Sequence, residues 1–259
     1  MEKGYITELF SSFQGEGPYA GKRQIFIRFA GCRLSCFYCD TAYARDPKPG
    51  FCTVFGNEAS SKNRSIKNPL PSTLVIDFVK ELITPDLHSI SYTGGEPLLS
   101  ASFLKEIAKE AKSMHLKNFI ETNGYSASAF ASIADYFDFA SIDVKLSNHQ
   151  AVAEKDYDNL YRNAMNCIKI AADKGLETIV KVVVLKNTSS EEIEKICSDL
   201  ADFNDNVKFV LQPVNVPPDL QDADIVPNIE ELFALSETAG LFLQDVMVLP
   251  QVHKIMRIR

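Results

Sequence analysis

Apolar runs rich in Val, Ile and Phe recur along the chain, separated by segments whose apolar residues follow a helical period. This is the pattern of a parallel sheet covered on both faces. It predicts strands at residues 24–30, 89–93, 118–122, 138–143, 178–185, 208–213 and 246–250, with helices at 73–83, 101–115, 126–136, 159–174, 190–203 and 229–238. Successive units of this kind connect right-handedly, which leaves a doubly wound sheet or a barrel that need not close. The reading preferred here is an α/β fold, an incomplete (β/α) barrel of about six to seven parallel strands in one domain over residues 1–259, with an insertion at about 43–72. The preference comes from where the unusual residues fall. Cys32, Gly94-Gly95-Glu96-Pro97, Glu121-Thr122-Asn123-Gly124, Asp143-Val144-Lys145 and Gln212-Pro213 all lie at C-terminal ends of predicted strands, the catalytic rim of such architectures. Taken singly, each is ordinary turn chemistry.

Composition narrows the picture. At 259 residues with 46% hydrophobic content, the chain can bury a substantial core without disulfides. No stretch approaches a membrane span and the first residues lack a targeting pattern, so a cytoplasmic location is expected. The formal net charge of −7 argues against a nucleic-acid surface, which needs clustered Lys and Arg.

The distribution of cysteines changes the picture most. Cys32, Cys36 and Cys39 crowd into Gly31-Cys32-Arg33-Leu34-Ser35-Cys36-Phe37-Tyr38-Cys39-Asp40-Thr41 with no fourth partner beside them. Four thiolates close a 4Fe-4S cube, whereas three leave one iron free to chelate a substrate or cofactor. Structural zinc is the competing reading, with Cys52 as the fourth ligand, although such sites usually combine two close pairs. Cys167 and Cys197 sit in predicted amphipathic helices and read as small apolar filler.

The loop resembles that of the radical S-adenosylmethionine (SAM) enzymes, whose cysteines are spaced by three and then two residues with an aromatic before the last, matched here by Cys32, Cys36, Tyr38 and Cys39. The resemblance implies a 4Fe-4S cluster whose open iron chelates SAM, an external electron donor, and reductive cleavage of SAM to methionine and a 5′-deoxyadenosyl radical. It further implies that Tyr38, Cys39 and Asp40, the strand end Gly94, Gly95 and Glu96, and Asn123, Asp143, Lys145 and Gln212 hold the cofactor. Absent side chains at Gly94 and Gly95 would permit close backbone approach to its methionyl amine.

A narrower resemblance, to the 7-carboxy-7-deazaguanine synthases, is carried by Phe10-Ser11-Ser12-Phe13-Gln14-Gly15-Glu16-Gly17, Phe26-Ile27-Arg28-Phe29-Ala30-Gly31, Cys39-Asp40-Thr41 and Pro250-Gln251-Val252-His253-Lys254. It implies ring contraction of 6-carboxy-5,6,7,8-tetrahydropterin to 7-carboxy-7-deazaguanine with loss of ammonia, on the route to queuosine or archaeosine, by a magnesium-dependent homodimer. Substrate contacts carry over to Phe13, Gln14, Gly15, Glu16, Arg28 and Thr93, with Glu121 and His253 beside them, and the Mg²⁺ ligand to Thr41, with Asp40 as a rival. Gln14 offers donors and an acceptor to a pterin edge and Arg28 a fork to a carboxylate; equally, Gln14 is suited to capping a turn, Arg28 to pairing with an acidic neighbour and His253 to packing at a strand end. Arg33 after the first cysteine, Phe37-Tyr38 before the last, and the long segment from Tyr43 to Pro71 depart from the family pattern. That segment, with Phe51, Phe55, Lys62, Arg64 and Lys67, reads as a lid, a partner-binding arm or a disordered loop. Beside the synthase stand two other classes, a radical SAM activase acting on a protein partner and a non-catalytic zinc or electron-transfer module.

Overall fold

The computed structural model describes residues 1–56, 63–201, 203, 207–216 and 224–259. Its strands are β1 (Lys3–Gly4), β2 (Ile6–Phe13), β3 (Arg23–Phe29), β4 (Phe51–Val54), β5 (Arg64–Lys67), β6 (Leu70–Pro71), β7 (Leu87–Gly94), β8 (Asn118–Thr122), β9 (Phe139–Asp143), β10 (Glu177–Val184), β11 (Val207–Pro213) and β12 (Val246–Val248). Helices α1 (Ser72–Leu82), α2 (Ala101–Ser113), α3 (Ala127–Ala131), α4 (Glu154–Asp173), α5 (Ser190–Ala201), α6 (Ile229–Gly240) and α7 (Val252–Met256) complete it. A 10-stranded sheet runs β12-β11-β10-β9-β8-β7-β3-β2-β4-β5. From β3 through β7 to β12 every neighbouring pair is parallel and follows chain order. Because β12 ends one edge and β5 the other, the barrel is open.

Every strand expected from the pattern forms, with ends shifted by a few residues. Four expectations are corrected. The helix predicted at 126–136 is broken into α3 and a 3₁₀ turn, Ala134–Tyr136, and α4 begins five residues before the predicted 159. β2, absent from the prediction, pairs antiparallel with β3 with a register shift between Ile6 and Glu8; of the polar residues in its sequence Ile-Thr-Glu-Leu-Phe-Ser-Ser-Phe, Glu8 lines the cavity and Ser11 accepts from Arg23. Within the segment 43–72, β4 and β5 extend the sheet, and β6 pairs with β1 in a separate two-stranded sheet. β4 pairs parallel with β2, β5 pairs antiparallel with β4, and β6 closes against β1. Lys62 lies outside the described residues.

Strand parity sets the layers, because successive side chains face opposite sides of a sheet. On the outer face Ile90, Tyr92, Ile120, Ala140, Ile142, Val180, Val182, Phe209 and Leu211 pack with helix residues such as Phe103, Leu104, Ile107, Ile168 and Ile196 into one core. On the inner face the lower positions Phe119, Phe139, Ile179 and Val210 form a separate apolar cluster with Tyr19. The next inward positions are polar: Glu121, Ser141 and Asp143, Lys181, and Gln212. The barrel interior therefore has an apolar floor and a polar upper storey opening at the strand C-termini. Among the described residues no helix is long and apolar enough to cross a membrane.

Candidate functional site

The cluster loop leaves β3 at Phe29 and is seated by the glycine pair Gly94-Gly95 at the end of β7. Gly94 has φ +125°, and a Cβ on Gly95 would stand 2.1 Å from the Gly31 carbonyl oxygen and 2.7 Å from that of Ala44. Glycine is required here because the chain itself makes the close approach. Gly31 N–H donates to Ala44 O (2.8 Å) and Ser35 N–H to Ala151 O (2.8 Å), while Arg45 donates to Cys36 O. All three loop cysteines are free thiols facing one cavity. Burial pushes the Cys32 thiol up to about 11 and the Cys36 thiol upward as well, so thiolate at neutral pH calls for a bound cation. Cys52 is fully buried in the main core, and Cys36 belongs to a different apolar cluster with Tyr38. Cys52 is not among the residues lining the cavity that the three loop thiols share, so its position does not suit a fourth ligand beside them. Cys167 and Cys197 are buried in α4 and α5.

The cavity measures about 720 Å³ and is lined by every residue the sequence nominated, from the cysteines, Tyr38, Asp40 and Thr41 through Phe13, Gln14, Gly15, Glu16, Arg28, Thr93, Gly94, Gly95, Glu96, Glu121, Asn123, Asp143, Lys145 and Gln212 to His253. Their bonding is less uniform. Glu96 is buried and committed to the rim: its carboxylate accepts from Leu98 N–H (2.9 Å), Thr122 Oγ1 (2.6 Å) and Asn123 N–H (2.9 Å), while burial outweighs these bonds and raises it to about 7. Asn123 Nδ2 lies 3.8 Å from Cys32 Sγ. Lys145 donates to Asp143 (2.7 Å) and to the Tyr38 hydroxyl (3.3 Å).

On the opposite wall the turn after β2 is held by Gln14. Its Oε1 accepts the N–H groups of Gly15 (2.9 Å) and Glu16 (3.0 Å), and its Nε2 donates to Gln24 (3.0 Å) and Glu121 (3.2 Å). Donors and acceptor are all used, so its amide caps the turn and has no group left to read a pterin edge. Arg28 Nε donates to Glu8 (2.8 Å), which also receives Tyr43 (2.9 Å) and Arg259 (2.7 Å); its guanidinium makes no other hydrogen bond to a described residue. A Cβ on Gly15 would meet His253 at 2.2 Å, so α7 packs directly on this turn. Asp40 is engaged by Lys254 (3.0 Å) and Gln251 (3.3 Å), with His253 Nε2 at 4.0 Å, whereas the only side-chain contact of Thr41 Oγ1 to a described residue is Cys39 Sγ at 3.7 Å.

Sequence reasoning passed over Glu8, Lys181, Gln251 and His149. Lys181 carries a usable signal, a charge on the inward parity of an otherwise apolar strand. His149 is fully buried. Its Nδ1 accepts Leu146 N–H (3.1 Å) and Tyr38 O–H (2.8 Å) while Nε2 faces Val183 O (2.9 Å). A carbonyl can only accept, so the ring is neutral with its proton on Nε2.

Two buried acceptors at the strand ends, Asp143 Oδ1 and Gln212 Oε1, have no partner among the described residues, and both residues line the cavity. Buried acceptors are ordinarily satisfied. A cofactor presenting hydroxyl or amino donors beside three thiols fits this wall.

An open parallel barrel with three free thiols at the C-terminal rim defines the class, and the radical SAM superfamily model matches residues 26–200. The chain is thus a radical SAM protein, and with that class come a 4Fe-4S cluster and SAM. It is 37% identical over 251 residues to a 7-carboxy-7-deazaguanine synthase of Methanocaldococcus jannaschii, covering 96% of this chain and 98% of the relative. A synthase of the same name from Methanothermobacter thermautotrophicus is 36% identical, covering 98% and 97%. Within the superfamily the chain belongs to the 7-carboxy-7-deazaguanine synthase family. The crystal structure of QueE from Escherichia coli shares the fold at a TM-score of 0.57 and 17% identity, over 95% of this chain and 93% of that one.

Proposed function

We propose that this protein is a carbon–nitrogen lyase that converts 6-carboxy-5,6,7,8-tetrahydropterin to 7-carboxy-7-deazaguanine with loss of ammonia. The observation that carries the reading is the meeting, in one cavity of about 720 Å³, of the three-thiol loop and a separate polar wall built from β2, β3 and β8. That volume lies in the roughly 300–1,000 Å³ range of small-molecule sites, and α7 packs over the turn beside it, which favours a small molecule over a protein substrate.

Cys32, Cys36 and Cys39 would hold the cluster, and Tyr38, Gly94, Gly95, Asn123, Asp143, Lys145 and Gln212 the SAM beside it. When bound, that pair supplies a carbon-centred radical able to abstract hydrogen from an unactivated position. The chain's own residues direct that reactivity. Arg28, steadied by Glu8, offers its terminal amino groups to the pterin carboxylate. The turn at Phe13 to Glu16 presents backbone groups, its Gln14 side chain being spent on the cap. Glu121, pushed upward by burial and by Glu16, can hold a proton facing the ring, while Glu16 is ionised: burial raises it, but Lys181 and Gln251 bring it to about 2. Two carboxyl groups set apart in this way divide acid from base chemistry. Mg²⁺ with Thr41 as its protein ligand fits better than with Asp40, which Lys254 already neutralises; magnesium commonly keeps several waters and substrate oxygens. An external electron donor, assembly as a homodimer and a cytoplasmic setting complete the proposal.

Anaerobic incubation of iron- and sulfide-reconstituted protein with SAM, a reductant, Mg²⁺ and the pterin should generate the deazapurine chromophore. Cleavage of SAM without it, where a known synthase succeeds, would rule this substrate out.

A further inference from the structure

Lys181 stands near the middle of β10, whose sequence Glu-Thr-Ile-Val-Lys-Val-Val-Val is otherwise apolar beyond its first two residues. The strand needs no charge to fold. A valine or methionine there would continue the apolar floor, and burying an ammonium costs several kcal/mol unless it is well paired. The pairing comes from two distant parts of the chain. Lys181 Nζ is bound to Glu16 of the turn after β2 and lies 3.8 Å from Asp143 Oδ2 at the end of β9. The three side chains are only 12%, 17% and 20% exposed.

The two carboxylates lean on this lysine unequally, Glu16 by a direct bond and Asp143 by an ion pair at 3.8 Å. Glu16 has one other side-chain hydrogen bond, from Gln251 (2.7 Å). Asp143 shares its Oδ2 with Lys145, while its Oδ1 has no partner among the described residues. Lys145 in turn reaches the Tyr38 hydroxyl between Cys36 and Cys39. An unbroken file of polar contacts therefore runs Glu16, Lys181, Asp143, Lys145, Tyr38 across the barrel. We infer that Lys181 is a positioning residue that couples the turn carrying Glu16 to the Asp143–Lys145 strand end, so that events on either wall are felt on the other. Assigning the pterin to the first wall and SAM to the second rests on the function proposed above.

The coupling can be read without the pterin. In iron-replete reconstituted protein, Glu16→Gln should change the SAM dissociation constant by about 5- to 10-fold when Lys181 is present, the lower end of ordinary intersite coupling. In a Lys181→Gln background the same change should be under about twofold. Lys181→Gln itself should keep wild-type iron content but lower kcat for the pterin by about tenfold or more, and Lys181→Arg should restore most of it. A Glu16→Gln effect of equal size in both backgrounds, or none with Lys181 present, overturns the inference. Should Lys181→Gln not fold, a cycle of Glu16→Gln with Asp143→Asn leaves the lysine in place. Sharing one cation makes their Tm losses non-additive, and additive losses refute the coupling. A protein that shows the SAM-affinity cycle but never turns over the pterin retains the coupling and loses the substrate assignment.

Discussion

Acidification should weaken the fold through His149 in a way a single substitution isolates. Burial and the nearby Lys145 ammonium push its imidazole from 6.5 down to about 3, against the pull of Asp143 and Val183. Its folded pKa is depressed, so the unfolded chain binds the extra proton first; stability is full above about 6.5 and declines as pH falls toward 3. At pH 5 the unfolded imidazole is protonated and the folded one is not, which costs about 2 kcal/mol relative to pH 7 at 1.36 kcal/mol per unit. Other groups act in the same range. His88 and His253 are also lowered, whereas Glu96 and Glu121 are raised and oppose them, so the wild-type slope alone is uninformative. His149→Phe removes the titrating group and strands Leu146 N–H, Tyr38 O–H and Val183 O, each at about 1 to 3 kcal/mol. Urea unfolding of both proteins at pH 7, 6 and 5, at matched iron content, should give a stability gap that narrows by about 2 kcal/mol on going to pH 5. A gap constant with pH would show that the buried ring is not held neutral, and the tautomer assignment from Val183 would fall with it.

Gly95→Ala should cut iron incorporation severely while leaving the helical circular dichroism near wild type, because its methyl would strike the Gly31 carbonyl; full iron content would show that the loop is not seated there. Arg28→Ala should retain the cluster and pterin-independent SAM cleavage yet lose at least about tenfold in pterin kcat/KM, since a charge-assisted hydrogen bond is worth about 1.5 to 3 kcal/mol; unchanged kcat/KM removes Arg28 from carboxylate binding. Thr41→Ala should raise the Mg²⁺ concentration needed for half-maximal turnover without altering the SAM dissociation constant; a wild-type Mg²⁺ response would return the metal to Asp40 or remove it.

Sequence alone determined the strand succession and the location of the chemistry. Parallel strands buried on both faces must be apolar, and their C-terminal ends are where polar and glycine-rich residues can project without disturbing the sheet. For that reason Cys32, Gly94, Glu121, Asp143 and Gln212 were legible as one rim from the pattern itself, and local spacing sufficed for the three-thiol loop. Tertiary structure alone decided which of those groups remain free. Glu96 and the Gln14 side chain are consumed by caps and turns, Asp40 by Lys254, and Arg28 is half committed to Glu8; partners up to 251 residues apart in the chain leave no periodic trace. β2 was invisible for a related reason, since a register shift between Ile6 and Glu8 and the cavity-facing charge of Glu8 break the apolar alternation that marks a half-buried strand. His149 is the clearest case, and for Lys181 the sequence shows the charge but not its partners. A buried charge and a buried neutral imidazole are tolerated only where several elements converge to satisfy them, and that convergence is a property of the folded sheet rather than of any segment within it.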